Sequence, residues 1–329
     1  MALVEVKNIF KYYGKQRVLN GLSLSISKGE IVSVVGSSGS GKTTLLRILS
    51  GLEIPEYGNI NLDNVVVNSS DIFIPPEKRN CSLVFQDYAL FPNMTMFENI
   101  YFGEGSENNK EIVSELIHVT NIEKILNKYP HECSGGEQQR VAIVRSMATQ
   151  PNVILMDEPL SNLDFHLKSK ISLMISEIIK RYSTTAIIVT HDIMDAMKIS
   201  DRIIVIDNGI ILQDGSPKEI YENPISKLVA RYFGETNFIP LQLFPESNHH
   251  IVYSNDKEPL IHVRPNQFQL FSQEDSKGKL IIKGKIKSIK NIASDLHILL
   301  DCQDINTDIY LILSVKKELK IGQVLKVMA

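Results

Sequence analysis

The chain has 329 residues, 43% hydrophobic and 22% charged, with a net charge of −3 at neutral pH. That is the balance of an ordinary folded globular protein, long enough for one large and one small core and too neutral to draw nucleic acid or anionic lipid by bulk charge. Three scattered cysteines (Cys81, Cys133, Cys302) make no disulfide framework and suit a reducing compartment.

The opening MALVEVKNIFKYYGK carries Glu5 and Lys7 and has no apolar core of secretory length, so no signal peptide is expected. No uninterrupted apolar window approaches bilayer-spanning length, which predicts a chain without transmembrane helices. LVEVKNIF and VLNGLSLSI alternate apolar and polar positions, predicting paired strands that turn near Gly14. EIVSVVG then reads as a buried strand that feeds the helical pattern TTLLRILSGL, with GNINLDNVVVN as a further hairpin and CSLVFQ as another buried strand. From Glu98 to about Asn127 the spacing is that of an amphipathic helix, read as a helical insertion. A helix follows HECSGGEQQR; next come the strand VILMDE, a helix from Asp164 to about Tyr182, the strand TTAIIVTHD, a short helix and the hairpin RIIVIDNGIILQDG. Buried strands alternating with helices predict an α/β fold with a mostly parallel sheet covered on both faces. Past about Asn237 short strands take over (LIHVRPNQFQLF, KLIIKGKIKSIK, LHILLDC, IYLILSV), so the expected division is residues 1–236 and a small all-β domain at 237–329. Lys277, Lys279, Lys283, Lys285, Lys287 and Lys290 read as a solvated strand face, and no nucleic acid is expected.

Gly36-Ser37-Ser38-Gly39-Ser40-Gly41-Lys42-Thr43-Thr44 fits G-x-x-x-x-G-K-[ST] between a predicted strand and a predicted helix. Glycines let successive N–H groups point at phosphate oxygens, Lys42 reaches the β/γ-phosphates, and the Thr43 hydroxyl is placed for Mg²⁺. Such a loop needs a metal-positioning acid at a neighbouring strand end, and ILMDE supplies Asp157 for the metal with Glu158 beside it as general base. His191, after the strand TTAIIVT, is expected at the carboxyl edge of the sheet, where it can donate to a γ-phosphate. HECSGGEQQR is a second helix start whose bare N–H groups suit an anion, so one chain carries two phosphate cradles.

GSSGSGKTT, the glutamine of LVFQDYALFPNMTMFENI, SGGEQQR, ILMDEP, SNLD and IVTHD, in that order, resemble the ATP-binding subunits of ATP-binding-cassette (ABC) transporters of the importer type. The resemblance covers the whole chain and is strongest over residues 3–235. It implies a P-loop NTPase with a RecA-like, mostly parallel sheet, an antiparallel β subdomain and a helical insertion at about 87–150. GETNFIP and VRPNQFQL resemble the oligonucleotide-binding-like (TOBE) β domain that follows the cassette in many importers.

The resemblance further implies ATP and Mg²⁺ as ligands and a head-to-tail homodimer, in which Ser134, Gly135, Gly136 and Glu137 of one copy meet the ATP held by the other's P-loop. It assigns Gln86 to the metal and the attacking water, Tyr13 to adenine stacking with Tyr12 as its alternative, and Asp164 to the dimer interface or a helix cap. The partners implied are an integral membrane permease and, indirectly, a solute-binding protein, with the chain cytoplasmic and peripheral on the inner membrane face. Ferric iron is the first expectation for the solute, with polyamine, sulfate or sugar as alternatives and a soluble non-transport ABC ATPase as the other class. The signature departs from the family pattern at Cys133, where leucine is usual, and at Glu137, where glutamine is usual.

Overall fold

The computed structural model describes residues 2–103, 106–161, 163–247, 249–254, 257–272, 279–314 and 318–329, with the backbone alone of Glu107, Phe165 and His166. Packing divides the chain into two units, Met1–Lys218 and Glu219–Ala329.

In the first unit, β1 (Ala2–Tyr13), β2 (Gln16–Ser27), β3 (Ile31–Val35) and α1 (Lys42–Ser50) lead to the hairpin β4 (Tyr57–Leu62) and β5 (Val65–Asn68), then to β6 (Cys81–Val84). The insertion follows as α2 (Met96–Tyr101), α3 (Lys110–Thr120) and α4 (Gly135–Ala148). The chain returns through β7 (Val153–Asp157), α5 (Phe165–Arg181), β8 (Thr185–Val189), α6 (Ile193–Ile199), β9 (Arg202–Asp207) and β10 (Ile210–Gly215).

Two sheets result. An antiparallel sheet has the order β2-β1-β4-β5, and a six-stranded sheet has the order β10-β9-β3-β8-β7-β6, parallel except for the β9–β10 hairpin. That hairpin turns on Asn208 and Gly209, both in the left-handed region (φ 47° and 74°), as two-residue hairpins favour. The buried strands are nearly all apolar because both faces are covered: along β7, Ile154 and Met156 enter the core shared with α2–α5, while Val153 and Leu155 enter the core shared with α1 and the antiparallel sheet. β3 lies between β8 and β9, strands that follow it by far in sequence, so the crevice at its carboxyl end is the switch point where ligands of such sheets bind.

The single helix expected from Glu98 to Asn127 is two. The Thr95 hydroxyl and the Glu98 carboxylate form a capping box that starts α2, and α3 stops at Asn121, which is left-handed (φ 54°). A helical spacing carried across two helices hides the break between them.

The boundary falls within α7 (Pro217–Glu222); α7 and α8 (Lys227–Tyr232) are short helices that the sequence reading left out, and the second unit continues with β11 (Asn237–Pro240), β12 (Ile251–Tyr253) and β13 (Pro259–Val263). β14 (Gln269–Leu270), β15 (Ile281–Ile292), β16 (Asp295–Cys302), β17 (Thr307–Leu313) and β18 (Val324–Met328) complete it. Its sheets, β11-β13-β12 and β14-β18-β15-β16-β17, are wholly antiparallel around one apolar core, so the all-β expectation is borne out. The unit begins earlier than residue 237 because Arg264, 1% exposed, reaches back to α7 and α8: its guanidinium donates to the carbonyls of Tyr221, Ala230, Gly234 and Glu235. Lys283, Lys285 and Lys287 lie on the exposed side of β15, while Lys277 falls outside the described residues.

Candidate functional site

The loop between β3 and α1 takes its shape from glycine. A Cβ on Gly36 would sit 1.9 Å from the Ile206 carbonyl oxygen, and Gly41, at φ 103°, would place one 2.8 Å from the Val18 carbonyl oxygen. No other residue type permits those approaches. Lys42, buried, folds back over the loop and donates from Nζ to the carbonyls of Gly36 (3.0 Å) and Ser37 (2.7 Å) and to Ser40 Oγ (3.4 Å). Burial lowers its pKa, against the opposing pull of Glu158 and Asp157. Ser37 Oγ donates to Asp207 Oδ1 at 2.8 Å, and the Gly209 N–H donates to the Ser40 carbonyl, so the β9–β10 turn holds the loop from outside.

Facing the loop are the ends of β7 and β8. Thr43 Oγ1 donates to Asp157 Oδ1 at 3.1 Å. Burial raises the pKa of Asp157 and the Thr43 bond opposes the rise, so this is a carboxylate that gains from a nearby cation. A hydroxyl and a carboxylate, both hard oxygen donors, suit Mg²⁺, which keeps several waters and takes its other ligands from substrate phosphates. The residues present therefore fit that ion.

Glu158 is left-handed (φ 47°), a conformation costly for a non-glycine residue, and its N–H donates to the Val189 carbonyl at 2.8 Å. The bend turns its carboxylate out of the strand to meet His191 Nδ1 at 2.9 Å and Gln86 Nε2 at 3.4 Å. Asp192 caps α6 directly after His191 and pairs with Lys168 of α5 at 3.0 Å, which fixes the backbone on which the histidine stands.

Tyr13, Ser38, Gly39, Gly41, Lys42, Thr43, Thr44, Glu158 and His191 line one cleft of about 400 Å³. Tyr13, 45% exposed, presents its ring there with Gln16 and Val18. Tyr12, its alternative, is not in the described walls and lies instead under Arg17, whose guanidinium sits 5.5 Å from the ring centroid.

Ser134, Gly135, Gly136, Glu137 and Asp164 are also absent from the described walls of this cleft. Ser134 caps α4 in a capping box with Glu137: the Ser134 N–H (2.8 Å) and Oγ–H (2.7 Å) both donate to Glu137 Oε2. Those bonds hold the Glu137 carboxyl below the usual carboxylate range. Gly136 is also a packing glycine, since a Cβ there would meet Leu167 Cδ2 of α5 at 2.3 Å. Asp164 Oδ1 accepts from the Leu167 N–H at 3.0 Å, so the helix-cap reading of Asp164 is realised.

A phosphate-shaped loop facing two strand-end carboxylates defines a P-loop nucleotide hydrolase. Residues 19–161 match the family described as ABC transporter. The spermidine/putrescine import ATP-binding protein PotA of Haemophilus influenzae is 40% identical over 258 residues, 77% of this chain and 68% of the relative. The same-named protein of Thermotoga maritima is 41% identical over 257 residues, 76% and 69% of the two chains. Among solved structures, the dimeric ATP-binding cassette MJ0796 bound to ADP and Pi has a TM-score of 0.56 at 31% identity, covering 65% of this chain and 98% of that one. The cassette MJ1267 in its ADP conformation has a TM-score of 0.62 at 26% identity, covering 71% and 100%.

The chain belongs to the ATP-binding subunits of ABC transporters, importer type. It is an ATP-hydrolysing cassette, as the motif order implied. Ferric iron, the first expectation for the solute, finds no support in these names, which carry the polyamine alternative instead.

Sequence reasoning passed over Asp207, Asp192 and Arg145. Asp207 ends the apolar run RIIVID, so a carboxylate at a strand end beside the P-loop strand was the signal available for it.

Proposed function

We propose that two copies of this chain pack head to tail around two ATP molecules, and that their closing and opening drives a membrane permease that imports a polyamine. The observation that carries the catalytic half is Glu158, held between His191 and Gln86 at the mouth of the P-loop cleft. In that setting Glu158 takes a proton from the attacking water as general base, and His191 donates to the γ-phosphate and senses its loss. Lys42 leaves the loop carbonyls for the β/γ-phosphates, which are stronger acceptors. Mg²⁺, held by Thr43 and Asp157 with Gln86 beside it, would neutralise charge on the transferring phosphoryl group.

Ser134, Gly135 and Gly136 supply the partner's half of each pocket. α4 is long enough to carry about half a positive charge at its start, and its first N–H groups suit a γ-phosphate arriving across an interface. No described helix is long and apolar enough to cross a membrane; the separate permease and the place on the inner face of the membrane rest on membership of the importer family. The polyamine reading rests on relatives named for spermidine and putrescine import.

Glu158→Gln is expected to bind ATP without turning it over and to run as a dimer on gel filtration with ATP and Mg²⁺; a protein that stays monomeric would refute the sandwich. Ser134→Arg should abolish hydrolysis while a single copy still binds ATP, and unimpaired hydrolysis would refute the assignment in trans. Uptake of labelled spermidine by cells carrying this subunit with its permease, set against labelled ferric iron, tests the solute.

A further inference from the structure

Two residues beyond Gln86 the backbone enters a conformation that side chains disfavour. Tyr88 and Ala89 are both left-handed (φ 64° and 45°), a state that strains a non-glycine residue and persists only where the surroundings over-determine it. The Tyr88 N–H donates to the Phe85 carbonyl at 3.0 Å, and both carbonyls of the pair are reached by one side chain from another element. Arg145 of α4 donates from Nη2 to the Tyr88 carbonyl at 2.9 Å and from Nη1 to the Ala89 carbonyl at 2.8 Å, and its guanidinium stands 5.8 Å from the Phe91 ring centroid.

The guanidinium is partly buried, which lowers its pKa, and among the described residues no carboxylate lies within ion-pair distance of it. Its charge is answered by these two carbonyls and the aromatic face. Loop and arginine are therefore mutually dependent, because a buried cation stripped of acceptors is costly and a strained loop stripped of its clamp relaxes. A planar fork reaching two successive carbonyls is geometry that lysine's single ammonium does not reproduce.

Building on the role given to Gln86 above, we propose that Arg145 is a positioning residue for ATP hydrolysis, clamping the Tyr88–Ala89 backbone so that Gln86 meets Glu158. Arg145 stands on the helix that begins at Ser134, so the same clamp ties the partner-facing end of α4 to the attack site of its own subunit. Movement of α4 when two copies close is then felt at Gln86 through two hydrogen bonds.

The test is a double-substitution cycle in the full chain, with steady-state hydrolysis of ATP and Mg²⁺ and binding of a fluorescent ATP analogue as readouts. Arg145→Lys should leave the KM for ATP within about twofold and lower kcat about tenfold, as loss of orientation does. In a Gln86→Ala background the same change should alter kcat by less than about twofold, because a residue acting through Gln86 has nothing left to position. Arg145→Gln, read in the same way, guards against a fold defect in one variant, and retained analogue binding identifies folded protein. Full activity of Arg145→Lys, or losses at Arg145 and Gln86 that simply multiply, would overturn the clamp while leaving Gln86 in its role. A Gln86→Ala protein with unchanged kcat would overturn that role itself, and the clamp with it.

Discussion

Glu137 shows how one charge on a signature sequence changes what its neighbour offers. Its Oε2 accepts both the N–H and the hydroxyl hydrogen of Ser134, so the one hydrogen that the Ser134 side chain has to give is committed within its own helix. Glutamine, usual at this position, accepts one of those bonds and donates in the other, leaving the Ser134 hydrogen free for a phosphate oxygen. The carboxylate also places a negative charge where a triphosphate is proposed to dock. Glu137→Gln is therefore expected to tighten ATP-driven dimerisation about tenfold per pocket, and so about a hundredfold for a dimer with two pockets, the worth of one charge-assisted hydrogen bond released in each. Sedimentation of the Glu158→Gln protein with and without the second change reads this directly, and an unaltered dimer constant would show that the capping box is indifferent to closure. The fold is not at risk, because a capping box forms with either residue.

At the scale of elements, the sequence was most legible where one residue type serves one backbone need. Gly36 and Gly41 stand where a Cβ would strike a carbonyl, and β3, β7 and β8 read as apolar runs because a doubly covered strand has no polar face. Lys42, Thr43, Glu158 and His191 reach one cleft because each follows such a strand or opens the helix after it, and Tyr13 joins them from the end of β1. Less legible were features set by contacts distant in sequence. Periodicity carried straight through the break between α2 and α3, since both helices turn their apolar faces to one core. Arg145 left no trace in the pattern, and Arg264 was legible only as a letter of VRPNQFQL, not as an anchor: a cation answered by backbone carbonyls needs no acidic residue at a telling spacing, and in a sequence it looks like a surface charge. The helix start at Ser134 was legible as an anion cradle, but its separation from the P-loop cleft followed only from the family resemblance.

Across the whole molecule, each unit keeps its own core, and the second unit takes in α7 and α8 in part through one buried side chain, beside a Ser226–Tyr253 bridge and a bond from His250 to the Pro224 carbonyl. Arg264 is packed over the Tyr221 ring at 4.3 Å and donates to four carbonyls, of which Ala230 lies in the last turn of α8 and Gly234 just beyond its cap. Burial lowers its pKa, yet a guanidinium stays charged at any pH the fold survives, so this anchor does not titrate away. Arg264→Met keeps the apolar stem and removes every donor, stranding those carbonyls at about 1–3 kcal/mol for each that water does not reach. For a unit of this size, a loss of about 3 kcal/mol lowers the melting midpoint by about 10 °C or more. Scanning calorimetry should then show the transition of the Glu219–Ala329 unit moving down, while the transition that ATP and Mg²⁺ stabilise stays where it was. A midpoint unmoved by the substitution would mean that α7 and α8 are held by their apolar contacts alone, and a fall shared equally by both transitions would mean that the two units do not melt as separate bodies.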